Sequence, residues 1–172
     1  MNTFAQAVGG WHDYYHVVGD AAAALMGLLF VSLSLNVEEI TKKANSGLRI
    51  LAAQSFTSFI CLVMFSLLFE IPDQGTRGLG IPMLGIDLIL FYVTCRRFLE
   101  FRNQKSQLWG GANPLVRFII PMVCFITIMV IAITVLNGTT GGLYYFVPVS
   151  ILLIFDASLD AWDLLLRLHE PH

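Results

Sequence analysis

At 172 residues and 19.1 kDa the chain is long enough for one domain. It is 56% hydrophobic and only 13% charged, with mean hydropathy +0.73. A water-facing domain carries about 25% charged residues, so this composition excludes a soluble globular enzyme and a disordered tail. Ten Lys and Arg against twelve Asp and Glu leave a net charge of −2, which excludes the clustered basic face of a nucleic-acid binder.

A helix needs about 20 apolar residues to cross the hydrocarbon core. Five runs qualify, at about 17–37, 50–70, 79–95, 115–136 and 143–162, preceded by an interfacial segment over residues 1–16. None alternates with period two, so the runs predict helices rather than barrel strands. The fold class is therefore all-α, a polytopic membrane helix bundle forming one transmembrane domain. The third run is the least regular, holding Pro82, Asp87 and several glycines. The fifth can continue as a helix to His169, and RRFLEFRNQKSQLW can extend the third until GGANP stops it.

Basic residues set the orientation. Lys42, Lys43 and Arg49 lie between spans one and two, and Arg96, Arg97, Arg102 and Lys105 between spans three and four. Arg117 opens span four, Arg167 follows span five, and Arg77 alone falls on the opposite side. Positive residues stay cytoplasmic, so the N-terminus is expected outside and the C-terminus inside. This requires the third run to cross, since otherwise the two basic loops fall on opposite sides. Trp11, Tyr14, Tyr15, Tyr144 and Tyr145 form an outer aromatic belt, and Trp109 and Trp162 an inner one. The first span lacks a basic leader and a small-residue cleavage site, so it is expected to be retained.

Cys61, Cys95 and Cys124 each lie in an apolar run and read as small core residues rather than a disulfide or zinc framework. Gly19, Ala23 and Gly27 recur every fourth residue, giving span one a face for close helix approach, within the chain or between subunits. Pro121 and Pro148 remove helix hydrogen bonds near the starts of spans four and five.

The informative residues are acids in lipid. An Asp at the centre of a bilayer costs at least about 2.5–3.5 kcal/mol. Asp87 lies eight residues into span three, about 12 Å deep at a helical rise. Asp156 lies thirteen residues into span five, about 20 Å from its start. Asp20 and Glu70 mark the outer ends of spans one and two. No base stands at the depth of Asp87, whereas Arg117 can reach Asp156. Such an acid either holds a proton or faces a water-filled path that attracts cations. Alternatively Asp87 and Asp156 bond to Gln54, Ser58, Tyr92, Thr94 or Thr127 and hold helices together. Asp160 and Asp163 continue the face of Asp156 and read as solvated residues at the inner interface, with Asp163 spaced to pair with Arg167.

Ahead of span one the chain reads WHDYYHVVGD. On a helix His12, His16 and Asp20 follow at i+4 steps and Asp13 shares their arc of about 100°. This spacing allows a divalent cation such as zinc at the outer face, a collecting mouth for protons or cations, or ordinary flanking polarity. No cofactor is otherwise indicated. G-x-S-x-G, H-E-x-x-H, P-loop and dinucleotide fingerprints are absent, so no enzyme is expected.

The stretch WHDYYHVVGDAAAALMGLLFVSLSLNVEEI, followed by LAAQSFTSFICLVMFSLLFEIP, resembles an uncharacterised family of small bacterial multi-span membrane proteins. The shared features are a W-x-D-aromatic element, a G-x-A-A-x-x-x-G-L-L-F-V-x-L-S-L first span and a Q-x-F second span, over residues 10–72. Some members are labelled modulators of a membrane protease. The resemblance implies a multi-pass protein of the bacterial inner membrane and brings no catalytic residue. So small a bundle is expected to form a homo-oligomer. The leading expectation is a cation or proton channel, with Asp20 and Glu70 outside, Asp87 forming a ring or site at the midplane and Asp156 towards the cytoplasm. The alternative is a non-catalytic adaptor or assembly subunit of a larger membrane complex.

Overall fold

A computed structural model describes residues 4–38, 46–103 and 116–168. A short helix α1 (Phe4–Gly9) leads into α2 (His12–Leu35), α3 (Ser46–Phe69), α4 (Thr76–Asn103), α5 (Val116–Leu136) and α6 (Phe146–Leu168). A 3-10 turn, Gly141–Tyr145, precedes α6. The described residues form no strand, and five helices are long and apolar enough to cross a membrane. The third run is a continuous helix of 28 residues despite Pro82. Its extension past Cys95 is helical through Asn103, while Lys42, Lys43, Lys105, Trp109, the stop at 110–114 and His169 lie outside the described residues.

The helices alternate in direction. Tyr15 at the start of α2 stacks on Phe69 at the end of α3, ring centroids 3.6 Å apart, and also meets Phe146 at the start of α6. A methyl group on Gly80, early in α4, would lie 2.6 Å from the Leu136 side chain at the end of α5. At the other end Arg97 of α4 bonds to the start of α3, and Arg117 of α5 meets the end of α6. One end thus carries His12, Glu70 and Tyr144, and we call it the histidine end. Arg49, Arg96, Arg97, Arg102 and Arg117 gather at the basic end, and Arg77 stands at the histidine end.

Helix α3 is the most enclosed, packing against α2, α4 and α6. Its Phe59, Leu62 and Phe65 meet Leu79 and Met83 of α4, Phe125 and Ile128 of α5 and Leu153 of α6 in one core. Cys61 and Cys124 are buried within it as free thiols. A smaller cluster, Ile50, Phe101 and Phe118, closes the basic end. Large apolar side chains such as Phe30, Ile89 and Phe155 point outward, as a surface facing lipid requires. Hydroxyls inside the helices return to their own backbone: Ser55 donates to the Leu51 carbonyl and Thr57 to that of Ala53.

Glycine acts at defined places. A Cβ on Gly19 would lie 2.6 Å from that of Ser66, so α2 and α3 touch there, whereas Gly27 has open space. Gly138 ends α5 with φ +80°. Its N–H reaches the Val135 carbonyl at 2.9 Å and the Thr139 N–H reaches Thr134 at 3.1 Å, the Schellman pattern that left-handed glycine permits. Pro148 stands third in α6, where the first helical turn has no donor to lose.

Candidate functional site

Polar side chains lie at three levels of the bundle. At the histidine end α2 continues unbroken through the WHDYYH segment, which places His12, His16 and Asp20 along one helix face. His12 Nε2 stands 2.7 Å from Glu70 Oε2 on α3, while its Nδ1 is 3.6 Å from Asp13. His16 Nδ1 lies 3.2 Å from Asp20 Oδ2, one turn on. The two imidazoles meet edge to face at 6.3 Å. Thus the two histidines pair with different carboxylates, His12 with Asp13 and Glu70 and His16 with Asp20, and Glu70 joins the cluster across the α2–α3 seam. His16, Asp20, Ser66 and Glu70 line a shallow groove of about 340 Å³ there. Among the described residues no three His, Cys, Asp or Glu side chains converge as a metal site. Beside this cluster, the Tyr14 and Ser150 hydroxyls share a hydrogen bond, and Ser150 also lies 2.9 Å from the Phe146 carbonyl.

The second level is mid-bundle. Asp87 lies eleven residues into α4, about 17 Å from its start and near its middle. It is fully enclosed by its own bundle, at 0% exposure, rather than on an outer surface where a shared axis between subunits would place it. Neither of its carboxyl oxygens has a hydrogen-bond partner. Gln54 and Ser58 of α3 and Thr94 of α4 are also buried with unpartnered side-chain atoms. Of the alternative partners expected for Asp87, Tyr92 is 61% exposed and Thr127 gives its hydroxyl to its own helix at Val123. Asp87 and these three residues are thus buried polar groups left without hydrogen-bond partners.

The third level leads to the basic end. Asp87 and Cys124 lie within electrostatic range of the Cys61 sulfur, and Asp156 within range of Cys124. Asp156 is buried on α6, with Asp160 one turn further at 3% exposure. Arg117 places Nη1 3.3 Å from Asp160 and 2.9 Å from Asp163. The ion pair expected with Asp156 is thus made with its two neighbours instead. Asp160 is enclosed rather than solvated, because α5 and α6 close over it. Arg117 still acts on Asp156 through space.

Arg97 is a further member, a charge that the sequence places between spans three and four. Its guanidinium donates to the Ala53 carbonyl at 2.7 Å and to the Thr57 hydroxyl, fastening α4 to α3. The signal was present: Asp87, Thr94 and Phe101 recur every seventh residue as buried positions, and Arg97 falls within the same face. No comparable sequence signal announces the Tyr14–Ser150 bond.

The bundle therefore holds Asp20 and Glu70 at one end, Asp87 in the middle, and Asp156 between the middle and the basic end. No family model matches this chain, and neither a curated protein nor a solved structure does.

Proposed function

We propose that this chain is a multi-pass membrane protein that passes protons, through carboxylates held inside its own bundle, between the two faces of the bilayer. Asp87 carries the proposal. It is mid-helix and enclosed, and neither oxygen is bonded. A permanently structural carboxyl in so costly a setting is expected to have its hydrogen bonds made by protein groups. One with spare capacity on both oxygens can exchange a proton with transient water. Enclosure favours protons over hydrated metal cations, which need a pore as wide as their water shell. Glu70, Asp20 and the two histidines collect protons at one mouth, and Asp156 with the Arg117 cluster serves the other.

The concentration of arginine at one end supports a cytoplasmic basic end, hence an external N-terminus and an internal C-terminus. From the resemblance of residues 10–72 to small bacterial membrane proteins we infer a bacterial inner membrane. The assembly we infer is a homo-oligomer whose subunits each hold their own carboxylates.

The test is proton uptake by liposomes containing the purified protein, driven by a potassium diffusion potential. Wild type is expected to acidify or alkalinise the lumen with the sign of the potential, and Asp87→Asn to lose at least ten-fold of that rate. An inert wild type, or an equally active Asp87→Asn, removes the proposal.

A second reading is a non-catalytic adaptor of a larger membrane complex. Its support is the enclosure of Asp87 within one subunit, which suits a group that fixes helix packing. It predicts no flux, a stable co-purifying partner, and a lower melting temperature in Asp87→Leu.

A further inference from the structure

At the basic end, a groove opens between α2, α3 and α4. Its volume is about 290 Å³, at the lower end of ligand-binding clefts. Leu33 and Val37 form one wall and Ala53 and Phe56 another, with Arg49 and Arg97 completing the lining. Among the described residues no carboxylate lines it. Glu100, the nearest acid along α4, pairs with Arg96 at 3.5 Å.

The two arginines differ in a useful way. Arg97 is half-buried and positioned, because one nitrogen, Nη1, is held by the Ala53 carbonyl and Thr57. A guanidinium has five N–H donors, so its remaining donors are available beside that anchor. Arg49 is exposed and makes no ion pair among the described residues. Two cations therefore face one cleft whose walls are hydrocarbon. Water-soluble anions would satisfy the arginines and leave Leu33, Val37 and Phe56 uncovered. An acyl chain alone would cover the walls and leave two charges unmet.

We infer that this groove is a binding site for one anionic phospholipid, its phosphate on Arg49 and Arg97 and an acyl chain along Leu33, Val37 and Phe56. Charge complementarity selects the anionic class. A zwitterionic lipid brings an ammonium to the same two arginines, whereas phosphatidylglycerol brings none. The position suits this occupant, because both arginines lie within two turns of the ends of helices long enough to span a membrane, at headgroup level. The site is independent of the proton path, which it neither uses nor requires.

The experiment equilibrates purified protein in detergent with equal amounts of phosphatidylglycerol and phosphatidylcholine and counts retained lipids by native mass spectrometry. Wild type is expected to retain phosphatidylglycerol preferentially. One basic residue near a membrane surface is worth about 1 kcal/mol, so Arg49→Gln should cut that preference about five-fold. Arg77→Gln, at the opposite end, should leave it unchanged, and excess glycerol phosphate should not displace the lipid. Equal retention of the two lipids by wild type overturns the inference, as does an unaltered preference in Arg49→Gln. An equal loss in Arg77→Gln would mean general charge attraction, and displacement by glycerol phosphate would mean a site for a free anion. Either result also overturns it.

Discussion

Arg117 and Asp160 show how a single charge is tolerated inside this bundle. Asp160 is 3% exposed, and Arg117 bridges it to the half-buried Asp163. Removing one partner of a buried pair strands the other, at about 3–5 kcal/mol, while replacing both by apolar groups is often neutral. Arg117→Leu should therefore lower the stability of the bundle in detergent by about 3 kcal/mol, and adding Asp160→Leu should restore most of it. Thermal unfolding of the three proteins checks this, and an additive double variant would contradict it. That Arg117 meets an acid of span five was legible in sequence, because it is the one base near that depth. Which acid it meets was not. Asp156, Asp160 and Asp163 share a helix face, and the choice depends on how far α5 slides along α6. That register is set by contacts such as the Gly142 backbone against Thr134, which leave no mark in composition. Asp87 was more legible, since a carboxylate flanked by apolar residues on both sides has few places to go. Gln54 and Ser58 were named as its partners from polarity and depth alone, and the structure leaves all three side chains without a hydrogen bond.

At the scale of helices, length and hydropathy located all five long elements, with ends differing by a few residues. The stripe of Gly19, Ala23 and Gly27 was legible as a packing face, but its three positions are not equivalent. Gly19 is pressed on Ser66, Ala23 is exposed, and Gly27 meets nothing. Spacing cannot separate these cases, because positions eight residues apart differ by about 80° around a helix, and which of them meets α3 depends on how α2 is rotated. Overpacking a tight contact costs about 1–3 kcal/mol. Gly19→Leu should thus destabilise the bundle by about that amount, and Gly27→Leu should leave it unchanged within about 0.5 kcal/mol. Equal melting temperatures for the two variants would refute the assignment of the contact. The turn after α5 offers a separate case. Gly138 holds φ +80°, so Gly138→Ala forces a side chain into left-handed backbone and should cost about 1 kcal/mol. Asn, which tolerates that region better, should cost less.

For the whole molecule, the division of charge between the two ends matters most. Arg49, Arg96, Arg97, Arg102, Arg117 and Arg167 occupy helix positions at the basic end, with His12, His16, Asp20, Glu70 and Asp73 at the other beside Arg77. A membrane retains basic segments on its cytoplasmic side, so this asymmetry predicts the direction of insertion proposed above. It also gives the proposed path two unlike mouths, one of histidine and carboxylate and one dominated by arginine. The direction itself can be read without any assay of transport. In a variant with Cys61, Cys95 and Cys124 replaced by Ser, a single cysteine is introduced at Asp73, exposed in the α3–α4 turn, or at Arg102, exposed near the end of α4. A membrane-impermeant maleimide applied to intact cells should label Asp73→Cys and spare Arg102→Cys until the membrane is opened. The reverse pattern would place arginine outside, against the charge rule, and would exchange the proposed mouths. Labelling of both in intact cells would mean that α4 does not cross. The alternating bundle would then be lost as a transmembrane arrangement, because α4 is the helix that brings the basic segments flanking α3 and α5 to one side.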